Sequence, residues 1–97
     1  MNIKFNEKAK LALKELMSSK ENGVIRLKVL AFGWGKPALG FVLDEQRSDD
    51  IAQQVDDITF VVQSSHEIYF ENTEILYNPQ VFTNNGFYVH RINQYST

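Results

Sequence analysis

Between two segments that alternate like strands, the chain runs through FGWGKPALGFVLDE, residues 32–45, and this run constrains everything built around it. Gly33 and Gly35 admit positive φ or the close approach of another backbone. Pro37 fixes its own φ and drives Lys36 toward extended geometry. Upstream, VIRLKVL alternates Ile25, Leu27 and Val29 with Arg26 and Lys28, the period-two pattern of a half-buried strand. Downstream, Leu39 to Leu43 reads as a second strand, with Gly40 inside it. The glycine-rich run is therefore a shaped strand connection that presents the side chain between its glycines, Trp34. It is not a nucleotide loop, because neither GxxxxGK[ST] nor GxGxxG spacing occurs in it.

The remaining elements follow from periodicity and punctuation. Ala9, Ala12, Leu13, Leu16 and Met17 share one face of an amphipathic helix, with Asn6 as N-cap and Asn22-Gly23 as its stop. Residues 45–57 read as a polar, solvated connection, and ITFVV as a third strand. Ser64 followed by Glu67 matches a capping box, which predicts one short helix through HEIYF. Thr73 to Tyr77 and Phe87 to Ile92 read as strands joined through Pro79 and Asn84-Asn85-Gly86, where positive φ comes cheaply. This order lacks regular strand–helix alternation, so the expected class is mainly β, a β-rich α+β fold with an N-terminal helix and one short internal helix.

At 97 residues the chain is expected to form a single domain, 1–97, with one modest core. No run approaches membrane-spanning length, and MNIKFNEKAK lacks the apolar stretch of a signal peptide, which makes a cytoplasmic location the expectation. A net charge of −2 argues against nucleic acid as a partner. Up to Arg47 there are nine basic and five acidic residues, whereas beyond it Arg91 stands against seven acids. Such asymmetry steers association or simply decorates a solvated surface. The chain contains no cysteine, which excludes disulfides, a thiolate nucleophile and any Cys-based metal site of its own.

The order GVIRLKV, FGWGKPALGFVLDE, DDITFVV, SSHEIYF, NNGFYV resembles the HesB-like or A-type iron–sulfur carrier family, from about Gly23 to Asn93. The resemblance is strongest in Gly35-x-Pro37-x-x-Gly40 and Leu43-Asp44-Glu45. It implies a β-rich sandwich or pseudobarrel, a role in assembling or delivering iron–sulfur clusters, and a partner that is a second copy or an iron–sulfur assembly protein. In the resembling proteins the loop carries a cysteine and a C-terminal Cys-x-Cys supplies the other thiolates. Here the loop position reads Trp34, and Thr97 falls about where the terminal pair would begin. Indole nitrogen has no lone pair for a metal. An iron–sulfur cluster is thus implied by the resemblance alone, and no cofactor is expected in the isolated chain.

Other donors offer no recognisable pattern. His66 and His90 lack H-x-x-x-H or H-x-x-E-H spacing, and Asp44, Glu45, Asp49 and Asp50 lack the D-x-D-x-D-G order of a calcium loop. No serine elbow or cysteine nucleophile marks an enzyme. The resemblance would bring Phe32, Trp34 and Phe41 near Phe87, Tyr88 and Tyr95, placing rings where relatives place thiolates. Phe32, Phe41 and Phe87 read as core, while Trp34 between two glycines reads as an interface anchor. The candidate interaction residues are Trp34, Phe32, Lys36, Tyr88 and His90, on a loop shaped by Gly33, Gly35, Pro37 and Gly40. Two function classes follow: an accessory relative in iron–sulfur cluster biogenesis, or a binding module that kept the scaffold and lost the cofactor.

Overall fold

Asn6 caps the first helix as its sequence requires: its Oδ1 accepts a hydrogen bond from the amide of Ala9 at 2.9 Å. The computed structural model describes residues 1–33 and 35–92. In chain order these form β1 (Ile3–Phe5), α1 (Glu7–Ser18), β2 (Val24–Ala31), β3 (Ala38–Asp44), β4 (Asp50–Val55), β5 (Ile58–Gln63), a 3-10 helix (Ser64–Phe70), β6 (Thr73–Tyr77), a 3-10 turn (Asn84–Gly86) and β7 (Phe87–Arg91). The strands make two sheets, ordered β3-β2-β5-β4 and β1-β6-β7. The mainly β class with an N-terminal helix is as expected.

Two strands escaped the sequence reading. The segment expected to be a polar connection contains β4, which pairs antiparallel with β5 from Asp50↔Gln63 to Val55↔Ile58. Its turn is made by Asp56 at φ 53°, a left-handed conformation that aspartate tolerates. The three-residue β1 pairs in parallel with β6, Ile3 opposite Thr73. The internal helix is 3-10 in type, and no capping box closes it: Gln63 is its N-cap and makes no side-chain bond. The first helix also ends earlier than Asn22-Gly23, at Ser18, where the Ser19 amide bonds back to the Leu16 carbonyl. Asn22, at φ 58°, turns the chain into β2 instead.

The core lies between the sheets, with Ile25, Leu27, Ile58, Phe60 and Val62 from one and Ile3, Ile75, Phe87 and Val89 from the other. Phe70 and Leu13, both fully buried, close it. On the helix, Ala9 and Leu13 are buried, while Ala12, Leu16 and Met17 are partly covered. Leu13→Ala is therefore expected to cost about 2–5 kcal/mol in urea denaturation, and the half-buried Leu16 distinctly less. A loss at Leu13 near the roughly 0.5 kcal/mol of a surface change would show that α1 does not dock on the core.

Strand β2 departs from simple alternation because both of its faces are covered at its start. Val24, Ile25, Arg26 and Leu27 are all buried, Arg26 at 7% exposure. Its guanidinium donates from Nε to Asp44 Oδ2 at 2.6 Å, from Nη1 and Nη2 to the two oxygens of Asp50 at 2.8 and 2.6 Å, and from Nη2 to the Glu45 carbonyl at 3.2 Å. This fork ties β2 to β3 on one side and to the start of β4 on the other. Asp44 and Asp50, expected in a solvated acidic stretch, are instead committed to Arg26.

Candidate binding groove

Among the described residues β3 and β7 are edge strands, each paired on one side, and a groove of about 900 Å³ lies along them. That is within the range of small-molecule and peptide clefts. Consecutive residues 36–43 on one wall and 87–91 on the other line it, with Leu16, Leu30 and Tyr69 contributed from elsewhere. Phe41 meets Phe87 edge-on, ring centroids 5.0 Å apart, and Phe87 continues onto Tyr77 at 4.8 Å. These aromatic contacts join the two sheets beneath the groove.

The loop glycines do different jobs from one another. Gly35 takes φ +88°, which favours glycine, whereas Gly33 has no left-handed φ and stands clear of other atoms. Gly40 serves close approach: a register shift between Val29 and Ala31 turns Leu30 over the paired strand, and a Cβ at Gly40 would lie 2.6 Å from Leu30 Cδ1. Pro37 and Gly40 both line the groove.

Of the candidate interaction residues, Lys36, Tyr88 and His90 come together at this groove. Tyr88 is 48% exposed and stacks between Phe82 at 5.3 Å and His90 at 5.2 Å. His90 Nε2 lies 2.8 Å from Glu74 Oε1 across the β6–β7 pair, which fixes the ring. Phe32 is not core as expected: it is 65% exposed and touches Tyr69 edge-on at 5.5 Å. The expectation does hold for Phe87, which is buried, and in part for Phe41, which is half-buried. Trp34 and Tyr95 lie outside the described residues. Leu16 and Tyr69 were missed as groove residues, since each was read only as part of its own helix.

The electrostatics are concentrated away from the groove. The charge-assisted bonds from Arg26 hold the Asp50 carboxyl down to about 2, against the partly opposing effect of burial, and the Arg47 amide adds a further bond at 2.7 Å. Asp44 is lowered first by the Glu45 amide, at 2.8 Å, and then by Arg26. Arg26 itself is raised, chiefly by Asp50, so the three groups stay charged over the ordinary pH range.

The donor set does not fit an iron–sulfur cluster. Such clusters are held by thiolates, with imidazole as the usual substitute. The chain has no thiol, and the imidazole at the groove is engaged by Glu74. Among the described residues no three His, Asp or Glu side chains gather as a metal site, and His66 sits instead near Tyr69, ring centroids 6.1 Å apart.

Solved structures share this architecture. Escherichia coli SufA, described as involved in biosynthesis of iron–sulfur clusters, aligns with a TM-score of 0.66 at 22% identity, over 94% of this chain and 86% of that one. IscA, solved with a [2Fe-2S] cluster, aligns with a TM-score of 0.66 at 17% identity, over 95% and 84%. An Aquifex aeolicus protein aligns with a TM-score of 0.61 at 24% identity, over 93% and 91%. At these identities the likeness establishes the fold. No match is found among curated proteins. The sequence profile of one family, described as iron–sulphur cluster biosynthesis, matches residues 1–87. Covering most of the sequence and agreeing with the fold, that match shows that the chain belongs to the iron–sulphur cluster biosynthesis family, as a member without cysteine.

Proposed function

We propose that this protein is an accessory, non-enzymatic member of its family, acting in cluster biogenesis through protein contact rather than by carrying a cluster itself. The observations behind this reading are a chain without thiols and a groove walled with Phe41, Phe87 and the Tyr88–His90 stack. In this reading the chain works in the cytoplasm. Its partner is an iron–sulfur assembly protein or a second copy, and the contact is made by Phe32, Trp34, Lys36, Tyr88 and His90. Neither nucleic acid nor a membrane is engaged.

Anaerobic reconstitution with ferrous iron and sulfide tests the proposal. The 97-residue chain alone is expected to develop no charge-transfer absorbance, and to retain no stoichiometric iron or acid-labile sulfide through gel filtration. Retention of both would overturn the reading. Absorbance that appears only when a cysteine-bearing family member is present, together with co-elution of the two proteins, is the expected signature of the accessory role. A second reading, a binding module detached from cluster chemistry, is favoured by the same groove. It predicts no co-elution with a cysteine-bearing member.

A further inference from the structure

The groove's chemistry narrows what can enter it. Successive residues of a strand point to opposite faces, so an unbroken run of groove-lining residues on both β3 and β7 means that the strands meet the groove along their edges. Among the described residues β3 pairs only with β2, and β7 only with β6. Exposed edges are usually guarded by charge or proline, because their free amides and carbonyls recruit any extended chain. From Ala38 to Leu43, β3 carries neither charge nor proline, and its bulge lies on the partner strand β2.

Charge selects further. Among the described residues, the ionic side chains lining the groove are Lys36, His90 and Arg91, with no carboxylate beside them, in a chain with more acids than bases. Glu74 reaches the groove only through His90. An incoming segment is therefore matched when it is extended, apolar on the side facing Phe41 and Phe87, and acidic on the side facing Lys36 and Arg91. A second copy's β3 fits less well. From Ala38 to Leu43 it carries no carboxylate to set against Lys36 and Arg91.

The geometry points to the free edge of β3, where it borders the groove beside β7, as a strand-addition site for an extended acidic–apolar segment of a partner protein. The segment adds main-chain hydrogen bonds to the free edge of β3 and sets its carboxylates against Lys36 and Arg91. This deepens the protein-contact reading above, on which it rests. Its test uses the chain alone, without iron or a relative, so the two can fail separately.

The probe is a fluorescein-labelled heptapeptide of alternating valine and glutamate, titrated with the protein and followed by fluorescence anisotropy. Saturable binding is expected. It should weaken about tenfold or more when lysine replaces glutamate, and again when alternate peptide amides are N-methylated, which removes the donors that strand pairing needs. The Lys36→Glu/Arg91→Glu double variant changes two exposed side chains and should keep the parent's urea midpoint, yet bind the glutamate peptide about tenfold more weakly. Equal binding of the lysine peptide, undiminished binding of the N-methylated peptide or an unaffected double variant would each overturn the proposal. So would a dimer in sedimentation velocity that the peptide cannot displace, since the edge would then belong to a second copy.

Discussion

Arg26→Ala is expected to lose about 3–5 kcal/mol of stability in urea denaturation, the cost of leaving buried partners without their counter-charge. The Asp50 side chain is only 3% exposed and takes a two-pronged bond from the guanidinium, so it cannot turn to water without moving β4. Arg26→Lys should recover part of the loss, because one ammonium cannot reproduce the planar fork that spans Asp44, Asp50 and the Glu45 carbonyl. The network also carries a pH signature. Asp50 has a folded pKa of about 2 against an ordinary 3.8, so the unfolded chain binds the proton more readily. Its contribution, about 2 kcal/mol, is fully present above the ordinary value and disappears as pH falls from about 4 toward 2. In Arg26→Ala that acid-dependent slope should flatten. A variant losing less than about 1 kcal/mol with the slope intact would show that the carboxylates are stabilised by something other than Arg26.

Gly86→Ala should be comparably damaging for a wholly different reason. Gly86 is buried at φ +91°, and a Cβ there would lie 2.8 Å from Pro79 Cα and 2.9 Å from Tyr77 Cε1. Left-handed strain of about 1–2 kcal/mol adds to overpacking of about 1–3 kcal/mol against backbone that cannot retreat. The expected loss is about 3–4 kcal/mol by thermal or urea denaturation. Gly33→Ala, where no described residue beyond the chain neighbours has an atom within 4 Å of the new methyl group, should be nearly silent. If the two substitutions behaved alike, the turn from Asn84 to Gly86 would not hold the hairpin as described.

What could be read from the sequence was what rests on local rules. Asn84, Asn85 and Gly86 all take positive φ, as their residue types invite, and the hydrophobic repeat of α1 put Leu13 on the buried face. β4 was hidden because its inward positions run Ile51, Gln53, Val55, and the glutamine between two aliphatic residues interrupts the apolar alternation. Without β4, nothing placed Asp50 beside β2, so Arg26 read as solvent-facing. β1 is too short for periodicity to register, since its identity comes from Thr73 and its neighbours rather than from its own three residues. The groove was legible in part: the resemblance set Phe41 near Phe87, and their rings meet at 5.0 Å. Leu16 and Tyr69 reach it through helix packing and chain reversal, which no spacing in the sequence encodes.

The two parallel pairings have a temporal consequence. Ile3 finds its neighbour only at Thr73, and Ile25 finds one of its neighbours only at Phe60. During synthesis the helix α1 and the β2–β3 ladder can assemble early from nearby residues, but the first strand must wait until β6 has been made. Long loop closure is entropically unfavourable before any contact rewards it, which places this step late and makes it slow. Until then the unguarded edge of β3 lacks the opposite wall supplied by β7. A newborn chain would therefore pass through an interval in which its most adhesive strand is open on that side, and the duration of that interval is set by how soon the C-terminal hairpin closes.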